Sequence, residues 1–126
     1  MDDKRQTIII VDDNLSNLNQ GKSILKPFYK VFPAPSAAKL FETLENIVPD
    51  LVLLDIEMPQ MNGYEVIRKL KADARFTGIP VIFLTSKTGE QSEMEGLDLG
   101  AVDFIVKPFS APLLLERILK FIPQRF

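Results

Sequence analysis

Leu51-Val52-Leu53-Leu54-Asp55-Ile56-Glu57-Met58-Pro59 sets four consecutive apolar residues directly before a carboxylate. The apolar run has no period-2 alternation, which is the pattern of a strand buried on both faces of a parallel sheet. The pattern recurs on either side at Ile8-Ile9-Ile10-Val11, Val81-Ile82-Phe83-Leu84 and, more briefly, Phe104-Ile105-Val106. A fifth run, Lys30-Val31-Phe32, is followed by Pro33 and Pro35. Proline cannot donate to a ladder, so this run belongs at a sheet edge.

Segments with helical spacing separate the runs. Leu15, Leu18 and Leu25, with Ile24 alongside, form one stripe that ends before Pro27. Leu40, Phe41 and Leu44 form a second, opened by Ser36 as N-cap. Tyr64, Ile67 and Leu70, with Val66 beside them, form a third, and Leu114, Ile118, Phe121 and Ile122 form the last. Between Ser86 and Gly100 the pattern is weak and interrupted by Gly89 and Gly96, so a loop and a marginal, mobile helix are expected there. Strand–helix alternation repeated five times predicts an α/β fold: a doubly wound, five-stranded parallel sheet flanked by five helices. The common order for such a flavodoxin-like sheet is 2-1-3-4-5. One domain is expected over residues 1–126, with its core at about 7–122.

Composition narrows the chemistry. The 126 residues include 15 Lys and Arg against 17 Asp and Glu, a formal net charge of −2, with no His, Cys or Trp. Disulfides, thiolate nucleophiles, Cys- or His-ligated metals and imidazole acid–base catalysis are excluded. What remains is carboxylate, hydroxyl, ammonium, guanidinium and phenol chemistry. Apolar runs of about four residues are too short to span a bilayer, which takes roughly 20. No secretory signal opens the chain, so a cytoplasmic location is expected, without membrane or direct nucleic-acid contact.

The polar residues that close each run carry the functional information. The first run ends in Asp12-Asp13, the third in Asp55, the fourth in Thr85-Ser86 and the fifth in Lys107. In an open α/β sheet the ligand crevice lies outside the carboxyl ends of the strands, where strand order reverses. Taken singly, Asp12 or Asp13 reads as a helix cap, Asp55 as a turn residue and Lys107 as a solvated surface lysine. Together at successive strand ends they converge on one crevice.

With those residues in place, the chain resembles the receiver domain of two-component response regulators, the CheY-like family. The matching pieces are Ile10-Val11-Asp12-Asp13-Asn14, Leu51 to Pro59 continuing to Met61-Asn62-Gly63, Leu84-Thr85-Ser86, Gly100-Ala101-Val102-Asp103-Phe104 and Lys107-Pro108-Phe109. The resemblance implies that Asp55 accepts a phosphoryl group from a histidine kinase or His-phosphotransfer protein, giving an aspartyl phosphate. It implies a magnesium (or manganese) ion on Asp13, Asp55 and the backbone carbonyl of Glu57, with Asp12 acting through metal-bound water. It assigns Thr85 and Lys107 to the phosphoryl group, Thr85 and Phe104 to the switch, and Glu57 and Lys87 to tuning of hydrolysis. A surface salt bridge between Glu57 and Lys87 is the competing reading of that pair. It also implies a cis bond between Lys107 and Pro108.

The resemblance further implies that inward movement of Thr85 lets Phe104 turn inward and repack the fourth helix and fifth strand. The fourth helix, fifth strand and fifth helix would then present the readout surface to an output domain or protein, or to a second copy in a homodimer. One of the consecutive Leu113, Leu114 and Leu115 is a candidate for that contact, because one helix face cannot bury all three. Such a domain catalyses its own phosphorylation and slow dephosphorylation and does not turn over external substrates. Three other readings compete. A pseudo-receiver keeps the fold as an interaction module without using the pocket. A haloacid-dehalogenase-type phosphohydrolase wants Asp-x-Asp where this chain has Asp55-Ile56-Glu57, and a flavodoxin wants a Ser/Thr/Gly-rich phosphate loop after the first strand.

Overall fold

The computed structural model describes residues 4–86 and 90–123. Five strands, β1 (Thr7–Val11), β2 (Lys30–Ala34), β3 (Leu51–Asp55), β4 (Val81–Thr85) and β5 (Asp103–Val106), alternate with five helices, α1 (Leu15–Leu25), α2 (Ala37–Leu44), α3 (Gly63–Ala72), α4 (Glu90–Asp98) and α5 (Ala111–Leu119). All strand pairs are parallel and the order is β2-β1-β3-β4-β5, as the run pattern predicts.

The unbroken apolar runs are explained by the two layers that cover the sheet. Ile8, Ile10, Leu51, Leu53, Ile82, Leu84 and Ile105 face one core with Leu18 and Leu25 of α1 and Leu114 and Ile118 of α5. Ile9, Val11, Val52, Leu54, Val81 and Phe83 face the other with Leu40 and Leu44 of α2 and Val66, Ile67 and Leu70 of α3. Alternate residues thus enter opposite cores, and β3, β4 and all of β1 beyond Thr7 are buried on both faces. β2 takes the sheet edge with Pro33 inside it, where a missing N–H costs no ladder bond.

Two stripe assignments need correction. Leu15 is 65% exposed, because it is the first residue of α1 and stands at the rim where the strands have ended; Gly21 occupies the buried position instead. On α5, Leu114 is fully buried while Leu113 and Leu115 flank it and both pack partly against the same core. The exposed apolar residue of α5 is Leu119. The weak 86–100 stretch does carry a helix, α4, of nine residues. Among the described residues no helix is long and apolar enough to cross a membrane.

Candidate functional site

The parallel register sets the strand ends side by side. Val11 pairs with Leu54, Asp55 with Leu84 and Thr85 with Val106, so Asp12, Asp55, Thr85 and Lys107 sit at one rim although 95 residues separate the first from the last. Asp12 follows β1 and stays fully buried, its backbone N–H donating to Ala34 and its Oδ1 accepting from the N–H of Asn14 at 2.9 Å. Asn14 in turn caps α1, its side chain accepting from Asn17. Asp13 projects into solvent beside it.

Asp55 is the last residue of β3 and is 3% exposed. The chain turns immediately behind it. Asn62 and Glu65 form a reciprocal capping box at the start of α3, and the Gly63 N–H donates to the Ile56 carbonyl at 2.8 Å. A Cβ on Gly63 would lie 2.7 Å from the Asp55 carbonyl oxygen, so only glycine lets α3 begin against the strand end. Gln60, three residues earlier, takes the left-handed conformation (φ 70°) in the turn between β3 and α3.

The carboxylates of Asp12, Asp13 and Asp55 offer oxygens that all lie within 4.8 Å of one another. Against them, among the described residues, stands one cation, Lys107, whose Nζ donates to Asp12 Oδ2 and Asp55 Oδ1, each at 3.1 Å. Fully ionised, the cluster keeps an excess of two negative charges. Burial, then the charge of Asp12, then Asp13 push the Asp55 carboxyl up from 3.8 to about 7, against the pull of Lys107. Burial opposes the charge of Lys107, but its bonds to Asp12 and Asp55 outweigh it and raise the ammonium above its usual value. An all-oxygen donor set of excess negative charge fits a hard divalent cation.

A cleft of about 410 Å³ opens over this cluster, lined by Asp12, Asp13, Asn14, Asn17, Asp55, Glu57, Ser86, Lys107 and Pro108. The Lys107–Pro108 bond is cis, as the resemblance implies. Glu57 is at the mouth, where its carboxylate accepts from the Ser86 hydroxyl at 3.4 Å. Lys87 lies outside the described residues. Thr85 is buried at the end of β4, and Ser86, the next residue, lines the cleft. Of the lining residues, Asn17 is the one the sequence reading does not name. The N-cap at Asn14 was the available signal for Asn17, which stands one helical turn along the same face. Phe104 is half-buried, its ring 5.3 Å from that of Phe83. The ring of Phe104 thus packs on Phe83 while part of it still meets solvent.

A model of the response regulator receiver domain matches residues 8–119, and the chain belongs to that family. It is 45% identical over 119 residues to a probable cyclic di-GMP phosphodiesterase of Vibrio cholerae, covering 94% of this chain and 27% of that protein. It is 36% identical over 119 residues to the DNA-binding response regulator MtrA of Mycobacterium tuberculosis, covering 94% of this chain and 51% of that one. The chain thus spans about a quarter to a half of the length of these relatives. Among solved structures it is similar to the receiver domain of a sensor histidine kinase from Pseudomonas aeruginosa (TM-score 0.84, 25% identity, 93% and 97% of the two chains), which holds a magnesium ion in its active site cleft.

Proposed function

We propose that this receiver domain takes a phosphoryl group onto Asp55 from the phosphohistidine of a kinase or phosphotransfer protein and passes the event to an output partner. The observation that carries the reading is the cluster of three carboxylates answered by one lysine in an open cleft. In the transfer, an Asp55 carboxylate oxygen forms the new bond to phosphorus, and the donor imidazole leaves with the electrons of the broken P–N bond. Asp12, Asp13, Asp55 and the Glu57 carbonyl would hold magnesium, which when bound offsets the carboxylate and phosphoryl charge. Lys107 keeps Asp55 oriented before transfer and pairs with the phosphoryl oxygens afterwards. Thr85 supplies a hydroxyl to the same group, and Glu57, held toward Ser86, governs access of water. With no His in these residues, a phosphohistidine donor would lie on another protein or domain, and a small-molecule phosphoryl donor is the alternative.

The output surface is read as α4, β5 and α5. Met94 and Leu97 of α4, Val102 before β5 and Leu119 of α5 are exposed, which supports an apolar partner there, either an output domain or a second copy. This reading sets the domain, residues 1–126, in the cytoplasm beside its kinase. Titration with beryllofluoride and magnesium, followed by NMR, tests it. Saturable shifts at Asp12, Asp55, Thr85 and Lys107 that vanish in Asp55→Asn are expected; no magnesium-dependent response in the wild type would refute it and leave the pseudo-receiver.

A further inference from the structure

Gly96 stands on α4 with two aromatic rings where a side chain would go. An added Cβ would lie 2.5 Å from both Cε2 and Cζ of Phe104 and 2.9 Å from Cδ2 of Phe83. Carbon atoms in contact keep roughly 3.5–4.0 Å, so nothing larger than glycine fits while the rings hold these positions. Phe83 is fully buried, with no open side to withdraw to, whereas Phe104 is half-buried and borders solvent. Glycine is the poorest helix former after proline, so its place inside a nine-residue helix has to be explained by space.

The seat lies at the end of a row. Tyr64, in the first turn of α3, meets Phe83 edge-on at 5.6 Å and 74°, and Phe83 meets Phe104 at 5.3 Å and 52°. The row starts next to Gly63, which abuts the Asp55 carbonyl, and finishes on α4.

We propose that Gly96 is the positioning residue of the switch, its bare backbone forming the seat that holds the Phe104 ring in the phosphate-free protein. The inference rests on the reading of Phe104 as the switch side chain. Departure of the ring toward Thr85 empties the seat and leaves α4 resting there on Phe83 alone. Closing the seat therefore favours the unseated state and, by linkage, any ligand that favours it.

Gly96→Ala tests this. By NMR with ring-labelled phenylalanine, the Phe104 resonance of Gly96→Ala without ligand should lie where the wild type places it with beryllofluoride and magnesium. Beryllofluoride should bind about 2- to 10-fold more tightly, the range an aromatic contact is worth. The Tm loss caused by Gly96→Ala should fall by at least half in a Phe104→Ala background, where the ring is gone. An unchanged Phe104 resonance, unchanged or weaker beryllofluoride binding, or an equal Tm loss in both backgrounds would overturn the proposal. If Gly96→Ala alone does not fold, folding of the double variant supports the seat and its failure to fold overturns it. A wild type that ignores beryllofluoride refutes the phosphoacceptor reading, while the Tm comparison still decides the seat.

Discussion

Two charged regions of this domain have the same kinds of group and opposite balances. On the β5–α5 face, Arg117 Nη1 donates to both carboxylate oxygens of Asp103 at 2.8 and 3.0 Å, one cation for one anion, in a partly buried position. In the cleft, one lysine with a side chain 11% exposed answers Asp12 and Asp55, which are 0% and 4% exposed, with Asp13 added beside them. The first pair is complete without a ligand, and solvent screens most of its worth. The second is costly as it stands and becomes favourable when a cation or a phosphoryl–cation pair enters. A balanced pair serves the fold, whereas an unbalanced buried cluster serves a ligand.

The largest expected effect breaks that contrast at Lys107. Lys107→Met removes the only cation that, among the described residues, is bonded to these two buried carboxylates, and should cost about 3–5 kcal/mol of stability without metal at pH 8. Chemical denaturation should show saturating magnesium restoring most of that loss.

Next comes the pH dependence of Asp55. Its native pKa of about 7 stands above the unfolded 3.8, so the stability it contributes is complete below 3.8 and is lost as pH rises through about 7. Metal-free protein should therefore lose Tm as pH rises from about 4 toward about 7, by about 5 °C per pH unit on the scale of a domain this size, and level off above 7. Magnesium or Asp55→Asn should flatten that slope in differential scanning calorimetry. Apparent magnesium affinity should fall about tenfold per pH unit below 7 and level off above it, with proton release visible by calorimetry in two buffers.

Smaller effects belong to the balanced pairs. Arg117→Met should cost under about 1 kcal/mol, with no dependence on magnesium. Asp73→Ala removes a partly exposed partner of the exposed Arg75, bonded at 2.9 Å, and should leave Tm unchanged within error. A magnesium-dependent loss in Arg117→Met would erase the distinction between the two regions.

Most of the fold was legible because parallel strands covered on both sides leave continuous apolar runs. The site was legible because charged residues that end such runs have nowhere to go except the sheet rim. Leu15 misled because a leucine stripe does not say where the sheet beneath a helix stops. Gly63 and Gly96 carried no readable role, since each makes room for groups distant in sequence: the strand end at Asp55 for one, the Phe104 and Phe83 rings for the other. The raised pKa of Asp55 was likewise invisible, because it depends on burial and on Asp12, 43 residues away.

Intact-mass spectrometry after incubation with acetyl phosphate tests the role of the unbalanced cluster most directly. The wild type should gain the mass of one phosphoryl group with magnesium, none with chelator, and none in Asp55→Asn under either condition. A phosphoryl group that appears without magnesium, or that survives Asp55→Asn, would contradict the assignment of Asp55 and its neighbours.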